Sequence, residues 1–155
     1  DKDLPIARAT ATLAADKAYS FYISGFYDAT AKTVDAFVVE DPIPEQFDFT
    51  QAYVRFVNAS PNSSPMQLFA RNTTSATESP IGAAVAFRSA GAFVGVPPAV
   101  YDLATRTAGS ATAAISRTAV SFVAGRIYTI SARGDMTITS ATAVNRPFLD
   151  NTANR

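Results

Sequence analysis

The chain has 155 residues, 13 acidic and 13 basic side chains, and neither Cys nor His. That length buries a sizeable core, while the missing imidazole and thiol remove the commonest general base, the commonest zinc ligand and any disulfide framework. No apolar run is long enough to span a bilayer as a helix, so no membrane span is expected.

The zero balance hides a split. Residues 1–50 carry nine acids and four bases, whereas residues 51–155 carry four acids and nine Arg. Opposed charge of this kind reads either as two solvated surfaces of unrelated composition or as an acidic segment that docks on a basic body, in its own chain or in a neighbour. The Arg residues are scattered singly and form no stripe, so no nucleic-acid partner is expected.

Taken in order, residues 4–13 alternate loosely, and residues 17–25 (KAYSFYISG) hold the aromatic and β-branched types that suit a pleated surface. Asp16 turns the chain ahead of that run. A polar loop at 28–32 precedes another strand at 33–39 (TVDAFVV). Around Tyr22, Phe26 and Tyr27 both strand faces are apolar, which predicts that residues 17–27 are covered by something. At 40–50 the pattern breaks, because Pro42 and Pro44 cannot donate to a ladder and four carboxylates stand beside them. Residues 44–50 read as a linker, with Phe47 and Phe49 free to pack beside it.

A new domain opens at residue 51. Residues 52–60 alternate Tyr53, Arg55 and Val57 against Val54, Phe56 and Asn58, and the stretch from Pro61 to Pro65 turns the chain. Short strands follow at 66–71, 81–88, 92–96 and 100–107, then a long one at 111–123, a turn at Ala124-Gly125, and strands at 126–133 and 136–144. Pro147 ends the last of these, leaving 148–155 as a tail. No stretch has a helical period with caps, and turns recur at sandwich spacing.

Residues 117–134 (RTAVSFVAGRIYTISARG) have a degraded copy at 8–25 (RATATLAADKAYSFYISG). At an offset of 109, Ile6 falls on Ile115, Arg8 on Arg117, Ala15 on Ala124, Tyr19 on Tyr128 and Gly25 on Gly134. This is an internal repeat, and it makes residues 1–43 the closing strands of an incomplete copy of the domain at 51–147. Carried further, the alignment sets Val39 on Val144 and Pro42 on Pro147, with a first-copy loop four residues longer. Three strands with one apolar face do not make a sandwich alone. Three completions follow: the chain is a portion of a longer protein, the segment folds back as added strands, or it pairs with a neighbouring copy.

Catalytic chemistry is sparse. Ser60, Ser63 and Ser64 have no base to activate them and read as turn hydroxyls. The carboxylate pairs Asp1/Asp3 and Glu40/Asp41 lack calcium-loop spacing, and the glycines at 91 and 95 precede no helix. The sequons at Asn58, Asn62 and Asn72 read as turn chemistry, or in a eukaryotic secreted protein as glycan acceptors on surface loops. No catalytic, cofactor or metal-binding residue is expected.

Three motifs in order, Val57-Asn58-Ala59-Ser60-Pro61, then residues 96–102 (VPPAVYD), then residues 124–129 (AGRIYT), resemble a bacterial surface family, domain of unknown function 4397. Pro98 and Val100 depart from the family's V-P-A-G-x-Y pattern. The resemblance implies immunoglobulin-like modules, often in tandem on secreted or surface-anchored proteins, and carries no catalytic residues. The expected fold is therefore an all-β, immunoglobulin-like β-sandwich with additional N-terminal strands from a partial repeat. The expected function is non-enzymatic: an extracellular or cell-surface filament or stalk subunit that assembles head to tail with copies of itself, with Tyr19, Phe21, Ile23, Phe37 and Val39 as the joint. The rival is an adhesin or carbohydrate-binding module that meets surface glycans through loops 58–65, 72–80 and 107–110.

Overall fold

The computed structural model describes residues 5–154, which form eleven β-strands and no helix. The Asp1/Asp3 pair lies outside the described residues. The strands are β1 (Tyr19–Ile23), β2 (Ala36–Glu40), β3 (Ala52–Asn58), β4 (Met66–Asn72), β5 (Glu78–Val85), β6 (Ser89–Ala90), β7 (Val94–Val96), β8 (Ala99–Thr107), β9 (Ile115–Phe122), β10 (Ile127–Arg133) and β11 (Phe148–Ala153).

The expected β-sandwich is built from β3 onward. One sheet runs β11-β10-β3, with the short β6 and β7 both on the far edge of β3, and the other runs β5-β4-β8-β9. Alternation decides which side chains meet between them. Ala52, Val54 and Phe56 of β3 and Tyr128, Ile130 and Ala132 of β10 point inward onto Leu68, Leu103, Val120 and Phe122. β3 lies parallel to β10, with Tyr53 opposite Ile127 and Asn58 opposite Ala132. Both connections of β10 use glycines in the left-handed region: Gly125 at φ +72 before it and Gly134 at φ +95 after it.

The C-terminal end differs from the sequence expectation. No strand forms over 136–144; the chain turns there, because the Asp135 carboxylate accepts the N–H and the hydroxyl of Thr137 and the side-chain amide of Asn62. The strand comes after Pro147 instead. β11 pairs antiparallel with β10, and Leu149 is fully buried in the core, so residues 148–153 are a sheet edge and not a tail. Pro147 stands just before the first β11 residue, outside the ladder, where a missing N–H costs no sheet bond.

The N-terminal segment forms neither an added strand nor a free arm. β1 and β2 make their own two-stranded antiparallel sheet, stacked as a third layer on the outer face of β3. The linker is ordered too. Phe47 packs on Tyr53 with ring centroids 4.6 Å apart, Phe49 packs on Phe47, and the Asp48 carboxylate caps the backbone of Thr50.

Local geometry runs parallel in the two aligned stretches up to Gly25 and Gly134, and the pairing beyond them differs from the alignment. The Tyr128 hydroxyl accepts the N–H of Val123 at 3.1 Å, and the Tyr19 hydroxyl accepts that of Ala14 at 3.0 Å, both five residues back. Asp16, at φ 59, takes the left-handed turn position held by Gly125, and Gly25, at φ 130, matches Gly134. β10 pairs with β11 as β1 pairs with β2: Leu149 lies opposite Ala132, and Ala36 lies opposite Ile23. The first-copy connection, residues 24–35, is therefore four residues shorter than its counterpart at 133–148, not longer. β2 is the counterpart of β11, and Pro42 and Pro147 are not equivalent positions.

Candidate assembly surface

The outer face of β3 carries Tyr53, Arg55 and Val57, and the hairpin covers the last two. Val57 and Ala59 are buried against Phe37, with Tyr22, Val39 and Ala90 packed around them. Tyr22 stacks on Phe37 at 5.1 Å, and Phe37 meets the edge of Phe87 at 6.3 Å. Polar groups fix the register of this docking. The Ser24 hydroxyl donates to the Ala59 carbonyl, and Arg88 donates to the Ala36 carbonyl.

Arg55 is the centre of the contact and is fully buried. Its guanidinium pairs with Asp41, donates to the Glu40 carbonyl at 3.1 Å and to the Thr129 hydroxyl at 3.1 Å, and lies 4.8 Å over the Phe93 ring. A buried cation needs every donor engaged, and these partners come from both the hairpin and the sandwich. The acidic-on-basic docking expected from the charge split is thus realised within the chain.

The five residues named as the joint divide into two sets. Phe37 and Val39 sit on the hairpin face turned toward the sandwich, where cross-strand pairing aligns them with Tyr22 and Ser20. Tyr19, Phe21 and Ile23 alternate onto the opposite face. Phe21 is 54% exposed and Ile23 58%, whereas their counterparts one repeat later, Ile130 and Ala132, are both at 0%. Leu13 is likewise exposed where its counterpart Phe122 is buried. The hairpin therefore docks by the face that is outer in the complete copy; on the face that is core there Phe21 and Ile23 are bare, while Tyr19 is half-buried and Ala36, opposite Ile23, is buried. Tyr22, named from its two-faced apolar stretch, is covered here, whereas Phe26 and Tyr27 are exposed; sequence reasoning missed Arg55 and Asp41, for which the signal available was the large side chains on both faces of residues 52–58.

Beside this face, a cavity of about 550 Å³ separates residues 5–8 from the 26–33 connection and is lined by Ile6, Arg8, Tyr27, Lys32 and Thr33. Residues 6–13 lie in no strand, although their counterpart is β9. At the other proposed surface, the loops do not converge. Asn58 bonds to the Val85 carbonyl, which places loop 58–65 at the end of the sandwich where Met66 pairs with Thr107, together with loop 107–110. Asn72 pairs with Tyr101 at the opposite end. Asn58 is itself buried, with its side chain bonded to Ser63, as turn chemistry requires.

The model of the family described as domain of unknown function 4397 matches residues 52–154, from the first strand of the sandwich to just past β11. The chain belongs to this family. The match takes in β11, so the strand after Pro147 is part of the domain of unknown function 4397 and closes its sheet. Among curated proteins no match is found.

Proposed function

We propose that the protein is a non-enzymatic structural protein of the cell exterior, joined end to end with its neighbours by strand complementation into a surface filament or stalk. One observation carries this reading: on a hairpin packed against a complete module, Phe21 and Ile23 form an apolar face that is more than half exposed, with Tyr19 half-buried beside them. Apolar patches of this kind on a fixed scaffold mark association surfaces. The exterior location and an immunoglobulin-like kinship rest on the family resemblance. The non-enzymatic part rests on composition, since a chain with neither His nor Cys has few means of activating its serines.

Negative-stain electron microscopy of the native material at neutral pH tests the reading. Filaments with a regular repeat are expected, and they are lost in Phe21→Asp, a change on the face turned away from the sandwich. Isolated particles at every concentration examined would overturn it.

A further inference from the structure

The backbone of β1 offers more than a patch. Ser24 N–H donates to the Asp35 carbonyl and Asp41 N–H donates to the Ala18 carbonyl, so the even-numbered residues of β1 are those that bond to β2. In an antiparallel ladder the alternate residues then direct their N–H and C=O groups to the other edge. Those residues are Tyr19, Phe21 and Ile23, and among the described residues β1 has no strand partner besides β2.

The second copy shows what such an edge receives. There the counterpart residues Tyr128, Ile130 and Ala132 face β3, which lies parallel, with the Arg126 carbonyl accepting Tyr53 N–H and the Ala132 carbonyl accepting Ala59 N–H, both at 2.9 Å. The same three side chains are covered by the opposite sheet. Edge, face and preceding turn all recur in the first copy, from the left-handed Asp16 to the Tyr19 hydroxyl bond.

We propose that the open edge of β1 takes a β3-type strand, parallel to β1, belonging to the opening half of another module of this same family. Transferring the observed register by the repeat offset puts the counterpart of Tyr53 beside Ala18, that of Val54 beside Tyr19, that of Phe56 beside Phe21 and that of Asn58 beside Ile23. The alternate apolar residues of that strand then lie on the same face as Tyr19, Phe21 and Ile23 and extend it. This inference rests on the end-to-end reading and specifies its joint. Extended segments that pair in any register are excluded, because the parallel arrangement and the Ala18 start follow from the copy already completed in the chain.

The test uses the full chain, isotope-labelled for NMR, and a synthetic peptide of residues 50–60 (TQAYVRFVNAS) carrying a nitroxide at its N-terminus. Saturable binding is expected, with the amides of Tyr19, Phe21 and Ile23 shifting and gaining protection from exchange. Broadening is expected to be strongest around residues 14–17, because the register sets Thr50 of the peptide beside Ala15. Phe21→Asp weakens the peptide about tenfold or more while the signals of Phe37 and Val57 stay in place, which shows the hairpin still docked. Broadening centred on Ile23 would mean antiparallel docking and would overturn the proposal. So would equal binding of a scrambled peptide, no binding at millimolar concentration, or protection of the β1 amides by self-association before peptide is added, which would make a second copy's hairpin the occupant. Filaments from a chain whose β1 ignores the peptide would sink this docking mode and leave the end-to-end reading standing; peptide binding without filaments would do the reverse.

Discussion

Arg55 of β3 and Asp41, just past β2, form an ion pair in which the guanidinium is fully buried. The pair ties the hairpin to the module more firmly than an exposed pair does, because either partner left alone is a charge without water. Asp41→Ala is expected to destabilise the chain by about 3 kcal/mol in urea unfolding and to speed amide exchange at Phe37 and Val39. Arg55→Met combined with Asp41→Ala is expected to recover part of that loss, since the double change removes the stranded charge. A single mutant as stable as the parent would show that the hairpin is not held through this pair.

The two tyrosine hydroxyls give a matched comparison. Tyr128 is buried and Tyr19 only half-buried, yet each accepts the N–H five residues back. Tyr128→Phe leaves the Val123 amide without its partner and is expected to cost about 1–2 kcal/mol, whereas water replaces the bond lost in Tyr19→Phe, at about 0.5 kcal/mol or less. Equal costs in denaturant melts would mean that the first-copy turn is as dry as the second.

Leu149 tests β11. It is fully buried in the main core, on the edge strand beside β10. Leu149→Ala is expected to cost about 2–5 kcal/mol, a core penalty, measured as the shift in urea midpoint at constant slope. A cost typical of an exposed tail position would remove β11 from the cooperative unit.

Acid is expected to unfold the chain over a narrow window. Hydrogen bonds from Thr50 hold the Asp48 carboxyl below its usual value, those from Thr137 do so for Asp135, and the two-pronged bond from Arg106 does so for Glu78. A carboxylate whose folded pKa is lowered contributes stability above its unfolded pKa, and that contribution is lost as pH falls through the folded value. With no His in the chain, the melting temperature is expected to be flat from about pH 6 to 8 and to fall below about pH 4.5. A drop between pH 7 and 5 would contradict this.

Much of the sandwich was legible because its strands obey period two. Ala52, Val54 and Phe56 alternate with Tyr53, Arg55 and Val57, and the structure places the two sets on opposite faces. The repeat was legible up to Gly25 and Gly134, where backbone conformation constrains the residue type. Beyond them, Pro42 and Pro147 invited a false equivalence, because both prolines lie outside the ladder and so carry no register information. The run at 136–144 is rich in β-branched residues but loses to the turn held by Asp135, whereas residues 148–153 look polar and become a strand because the edge of β10 is there to pair with. The division of the joint residues between two faces was not legible, since alternation says which side chains share a face and nothing of which face finds a partner.

One consequence concerns tension. The register sets both Val54 and Ala153 beside Tyr128, so the module's first and last strands begin and end at the same pole. A pull on the chain at residues 51 and 154 would open the sheet from that pole one hydrogen bond at a time, as a zip opens, instead of shearing a whole row at once. In the fibre proposed above, load would instead pass through contacts made on the faces of the sheet, of which the seat of Tyr22 and Phe37 on Val57 is the example within this chain.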